Sequence, residues 1–90
     1  MKLSKPALRR YVAWLALEHP ICQICNKRPS VDAHHLIFGC YGADKNDTKL
    51  IAVCRKCHEY CHANKHESQH KYLEIANSNW SKYNAKNTRA

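Results

Sequence analysis

The sequence predicts a small α+β domain held together by metal, with helices flanking the core at both ends, and three observations lead there. At 90 residues, a hydrophobic core alone contributes little net stability, so a cross-link of some kind is expected. Six cysteines accompany only two glycines, which is not the composition of a loop-rich disulfide scaffold. Four of those cysteines form two C-x2-C pairs, an arrangement that favours metal over disulfides. Apolar residues recur at helical spacing near both termini, while the middle holds two short runs suited to strands. We read 1–90 as one domain, with an N-terminal helix at 5–18, zinc knuckles and core at 21–66, and a C-terminal helix at 67–84.

Taken in order, Ser4 is a plausible N-cap with Pro6 in the first turn, and Leu8, Tyr11, Val12 and Leu15 recur at helical spacing until Pro20 stops the run. Lys2, Lys5, Arg9 and Arg10 ahead of an apolar run imitate a signal peptide. The run is short, contains Trp14 and leads into Glu18-His19-Pro20 without a small-residue cleavage site, so an amphipathic helix in a cytoplasmic protein is expected. No segment approaches the length needed to span a membrane. Val31 to Phe38 reads as a strand, with Asp32, His34 and Leu36 on one side and Val31, Ala33 and His35 on the other. Gly39 to Lys49 is loop, and Leu50 to Val53 suits a second strand. A helix should start near Cys54 to His58 and run on through His62, His66 and His70 without a breaker. Beyond it, Tyr72, Ala76, Trp80 and Tyr83 form a stripe expected to pack against the first helix.

Cys22-x2-Cys25 and Cys54-x2-Cys57 are separated by 28 residues, a normal interval where a hairpin lies between two zinc knuckles. Tetrahedral zinc needs four thiolates converging at about 2.3 Å, and two such pairs supply them. Cys40 and Cys61 are left over and read as buried or spare thiols. A rival claim on the same atoms is C-R-K-C-H, Cys54 to His58, which matches the covalent haem attachment sequence. That reading requires export and strands Cys22 and Cys25 without partners.

The histidines need a separate account. His58 and His62 are four apart on the expected helix, so both project from one face about 6 Å apart along the axis, close enough to grip one ion. His66 and His70 lie too far along to reach it and read as a solvated or phosphate-facing stripe. His34 and His35 are adjacent on a strand and point to opposite faces, so one can bind metal while the other serves a different role. The bland alternative is one core histidine and one exposed one.

D-A-H-H-L, Asp32 to Leu36, followed by C-R-K-C-H-E-Y-C-H, Cys54 to His62, resembles the two halves of an HNH endonuclease. This is the ββα-metal type, treble-clef-like, in the subgroup with an added four-cysteine zinc. The resemblance covers about Cys22 to His66, and the short basic chain is similar in style to phage and prophage nucleases, including the recombination-enhancement type. It implies that His34, His58 and His62 hold a catalytic divalent ion, that His35 is the general base, and that Asp32 orients the site. The family's middle Asn is missing: counting back nine from His58 reaches Lys49, and nearby Asp47 could take its place as a loop clamp.

The chemistry implied is metal-assisted hydrolysis of a DNA phosphodiester, leaving 5′-phosphate and 3′-hydroxyl ends. A three-imidazole shell would accept zinc, nickel, manganese or magnesium. A formal charge of +8 agrees with a polyanionic partner, because two divalent ions offset the four thiolates they require. Lys45, Lys49, Arg55, Lys56 and Lys65 flank the motif and could hold DNA phosphates, although each could equally be ordinary solvated surface. Nothing resembles a dedicated sequence reader, so specificity would come from a protein partner or from DNA structure. The alternative from another class is a non-catalytic zinc module for nucleic acid, with His34 and His35 as packing residues. A metal-storage or regulatory protein leaves Asp-x-His-His unexplained.

Overall fold

The computed structural model describes residues 2–36 and 47–87, arranged as α1 (Lys5–Glu18), β1 (Asp32–His35), β2 (Leu50–Val53), α2 (Arg55–Ala63), α3 (Lys65–Lys71) and α4 (Leu73–Asn87). The α+β class follows from the two-stranded antiparallel sheet and four helices found among the described residues. Helix α1 begins where the Ser4 hydroxyl accepts from the Ala7 N–H at 3.2 Å, with Pro6 in its first turn. Among the described residues no helix is long and apolar enough to cross a membrane.

β1 is shorter than expected, ending at His35, with Leu36 in a bend; Ile37 and Phe38, with Cys40, Asp44, Lys45 and Asn46, lie outside the described residues. Its alternation is nevertheless plain, because Asp32 and His34 meet α2 while Ala33 packs with Tyr11 and Leu15 of α1. The antiparallel register sets His34 opposite Ile51 and His35 opposite Leu50. All four residues of β2 are buried. Ile51 and Val53 join one apolar cluster with Cys22, Leu36, Cys54 and Ala76, and Leu50 joins a second with Tyr11 and Leu15.

The helix expected from about Cys54 through His70 is divided in two, α2 and α3, and the C-terminal helix expected at 67–84 is α4, beginning at Leu73. A straight helix over 55–87 would span about 50 Å at 1.5 Å per residue, more than the molecule's longest dimension of 40 Å. Asn64 makes the first break: it closes α2 and opens α3 with φ −131° and ψ 58°, and its side-chain amide donates to the Tyr60 carbonyl at 3.0 Å. That local bond competes with the helical ladder. Tyr72 makes the second break. The chain thereby returns α4 to β2 and α1, where the expected stripe divides: Trp80 and Tyr83 pack on Tyr11, whereas Tyr72 and Ala76 pack in the other cluster with Ile51 and Cys22.

Candidate metal centres and catalytic site

The first knuckle is a tight turn. Cys22 N–H donates to the Arg28 carbonyl at 2.8 Å, Ile24 N–H donates to Cys22 Sγ at 3.4 Å, and Asn26 takes the left-handed conformation at φ 56° that the turn requires. The second knuckle is the start of α2: Cys54 is its N-cap, and Cys54 Sγ accepts from Cys57 N–H at 3.5 Å. The four sulfurs of Cys22, Cys25, Cys54 and Cys57 lie within 4.8 Å of one another. Cys25 and Cys54 Sγ are 3.9 Å apart, close to the ~3.8 Å edge of a tetrahedron with ~2.3 Å zinc–sulfur bonds.

The thiols differ in acidity for local reasons. The Arg28 and Lys27 amides pull the Cys25 pKa down to about 6. The Cys57 amide lowers that of Cys54, while burial and the neighbouring sulfurs push Cys57 upward. Four thiolates at this spacing repel one another without a cation, so the donor set fits a structural metal ion. Cys61 takes no part, being buried with its pKa raised by burial.

Next to the thiols is an all-imidazole cluster. One nitrogen each of His34, His58 and His62 lies within 4.8 Å of the others. Cys57 and His58 are neighbours in the first turn of α2, so the knuckle that gathers the thiols also aims this histidine. His58 Nδ1 lies 3.0 Å from the Asp32 carboxylate, an acceptor, so that a neutral His58 ring presents its lone pair on Nε2, 3.0 Å from His62 Nε2. A carboxylate behind a ring that presents a free lone pair is the usual support of a metal-bound histidine. His34 is only 2 % exposed, and burial, reinforced by His58 and His62, lowers its pKa to about 4. It is therefore neutral at neutral pH, the form that can bind metal. Exposure rises from His34 through half-buried His58 to exposed His62, so the cluster opens to solvent on one side.

On the opposite face of β1, His35 Nε2 lies 2.8 Å from Asp47 Oδ1, and the second carboxylate oxygen accepts from Leu3 N–H at 2.8 Å. Burial raises the Asp47 pKa, but the Leu3 donation and the His35 contact outweigh it and hold the group below the ordinary carboxylate range. Asp47 is thus ionised and can only accept, so the proton between them sits on His35 Nε2. In the neutral form of that ring the lone pair is then on Nδ1.

The remaining expected site residues fall in several places. Asp32, expected to orient the site, stands behind His58. Arg55 Nε lies 3.7 Å from the same Asp32 oxygen, with its side chain 75 % exposed. Lys49, at the position counted for the middle Asn, extends its ammonium to Asn77 Oδ1 of α4. Lys56 and Lys65 are exposed at α2 and α3, and His66 and His70 are exposed on α3, a separate helix from the one carrying His58 and His62. Lys45 lies outside the described residues.

Two residues not anticipated as important are Gln23 and Asn79. Ala52 N–H donates to Gln23 Oε1 at 2.9 Å, while Gln23 N–H donates to the Ala52 carbonyl, so the knuckle covers the outer edge of β2. Buried Asn79 of α4 donates to Gln23 Oε1 and to the Leu50 carbonyl. The available signal was a polar residue at the i+3 position from Ala76, on the buried face of an amphipathic helix. No family profile, curated protein or solved structure matches this chain.

Proposed function

We propose that this protein is a metal-dependent DNA endonuclease of the HNH, ββα-metal type, hydrolysing phosphodiester bonds with one divalent ion and a histidine general base. The observation that carries the reading is the division of labour between neighbours on one strand. His34 turns to His58 and His62 on one face, and His35 is held by Asp47 on the other. A phosphate lying across the end of β1 would meet both.

His34, His58 and His62 would hold the ion, which when bound supplies positive charge against the charge developing on the phosphate and the leaving 3′ oxygen. Asp32 fixes the ring of His58 so that Nε2 presents its lone pair. Asp47 keeps the proton of His35 on Nε2, so Nδ1 accepts the proton of the attacking water. Asp47, and not Lys49, takes the place of the family's middle Asn. Lys56 and Lys65, with Arg55 beside Asp32, are proposed to steer the DNA backbone, giving binding that weakens with salt. Cys22, Cys25, Cys54 and Cys57 would bind a structural zinc that shapes the first turn of α2.

The test is plasmid nicking over a series of magnesium, manganese, nickel and zinc. Wild type should convert supercoiled plasmid to the open circle, EDTA should stop it, and His35→Ala should bind DNA without nicking it. Supercoiled plasmid left intact under every metal, with DNA still bound, would instead assign the chain to non-catalytic zinc modules.

A further inference from the structure

The segment from about Cys22 to His66 carries the nuclease resemblance, yet the carboxylate that holds His35 is gripped from outside it. Asp47 is only 5 % exposed, and among the described residues His35 Nε2–H donates to Oδ1 and the main-chain N–H of Leu3 to Oδ2, both at 2.8 Å, with the Lys2 charge acting on the same carboxylate. Leu3 lies 44 positions earlier in the chain, and three further contacts fix where its amide points. Its side chain is partly buried in the cluster of Tyr11, Leu15 and Leu50. The next residue, Ser4, caps α1 through the Ala7 amide, and the Ser4 carbonyl accepts the first helical bond from Leu8 N–H at 2.8 Å. Leu50 of the same cluster is the strand partner of His35. One apolar patch therefore seats both the donor to Asp47 and the strand that carries the histidine.

We propose that the Leu3 main chain is a positioning element of the hydrolytic site: it fixes the Asp47 carboxylate, and through it the ring orientation and tautomer of His35. This rests on the nuclease reading, in which His35 Nδ1 takes the proton from water. Without the Leu3 N–H, a buried carboxylate oxygen loses the one fixed main-chain donor described for it, and a buried acceptor left short of donors either rehydrates or rotates. Either movement frees the imidazole to exchange tautomers and turns Nδ1 away from the water. The N-terminal helix then does more than add apolar contacts, because its leader completes a chain of contacts, Leu3 to Asp47 to His35, that ends at the base.

The experiment compares Leu3→Pro, which deletes the N–H just ahead of the helix where proline is tolerated, with Leu3→Ala, which keeps the N–H and removes the apolar anchor. The proposal expects kcat for plasmid nicking to fall about 10- to 100-fold in Leu3→Pro, the scale of a catalytic group misplaced by about 1 Å, with KM and bound metal unchanged. Leu3→Ala should stay within about threefold of wild type. In an Asp47→Ala background Leu3→Pro should have no further effect, since the two would act through one path. Leu3→Pro turning over within about twofold of wild type, or Leu3→Ala falling as far, would overturn it. Should Leu3→Pro fail to fold, an amide-to-ester replacement at Leu3, made by chemical ligation, removes the same N–H with the side chain kept, and the same outcomes apply. If wild type nicks no DNA, the nuclease reading fails, and nitrogen-15 NMR of His35 decides the positioning claim separately. A single Nε2–H tautomer in wild type that becomes a mixture in Leu3→Pro supports it; an unchanged tautomer overturns it.

Discussion

The four-cysteine and three-histidine clusters share a helix, and even adjacent residues, Cys57 and His58, yet they are built for different ends. The cysteines come in pairs from two knuckles, with backbone amides setting the sulfurs of Cys22, Cys25 and Cys54, and with Cys22 and Cys54 buried. The histidines come from one strand and one helix face, and the set runs from a buried ring to an exposed one. A site with four protein ligands has no room for a substrate, whereas three ligands on an open side leave positions free. One short stretch of chain, Cys54 to His62, thus contributes to both ligand clusters, because the knuckle sets where the helix begins.

Breaking the thiol cluster should have the largest effect. Structural zinc contributes about 10 kcal/mol or more in small domains, against a total stability of roughly 5–15 kcal/mol, so Cys54→Ala should leave the chain unfolded by circular dichroism and free of tightly held zinc. His58→Ala, by contrast, should keep its helix content and one zinc per chain by native mass spectrometry. Next in size, His35→Ala should cut nicking by about 10²- to 10⁴-fold, the range for losing a general base, with both metal contents unchanged. Asp32→Asn should act on the histidine site alone, weakening its ion about 10- to 100-fold in a metal titration, while zinc stays on the thiols.

The smallest expected effect is a pH dependence that separates the clusters. Burial lowers the His34 pKa to about 4, below the ~6.5 of an unfolded histidine. Between those values the unfolded chain binds the extra proton, so this contribution to stability is complete above about pH 6.5 and is lost as pH falls toward 4. Zinc thiolates are acid-sensitive as well, so the useful quantity is a difference. Chemical denaturation at pH 7.5 and 5 should show a shallower acid loss for His34→Gln than for wild type, and equal losses would show that His34 carries none of it.

Helical spacing and ligand spacing made the local features legible. Ser4, Pro6 and the apolar period mark α1, and the period of two along Asp32 to Leu36 is enough to separate His34 from His35. Two C-x2-C pairs and an i, i+4 histidine pair indicate which side chains gather. What escaped was set by distant parts of the chain. Asn64 alone is a weak local signal for the end of α2; the turn is needed so that α4 can reach β2 and α1. The contacts of Gln23 with Asn79 and of Leu3 with Asp47 join residues 56 and 44 positions apart, beyond any periodic signal. The nine-residue count lands on Lys49 because it measures sequence distance, whereas the buried carboxylate of Asp47 two residues earlier, the replacement expected from the sequence, is the one that lies 2.8 Å from His35.

If one ion holds the fold while the other does the chemistry, the two should be separable in a metal add-back titration. Protein treated with a mild chelator that strips the histidine site but leaves zinc on the thiols should retain its circular dichroism and lose plasmid nicking. Adding manganese or magnesium should then restore nicking without refolding. Nicking that persists after this treatment, or returns only when the protein is refolded with zinc, would contradict the division of roles between the two clusters.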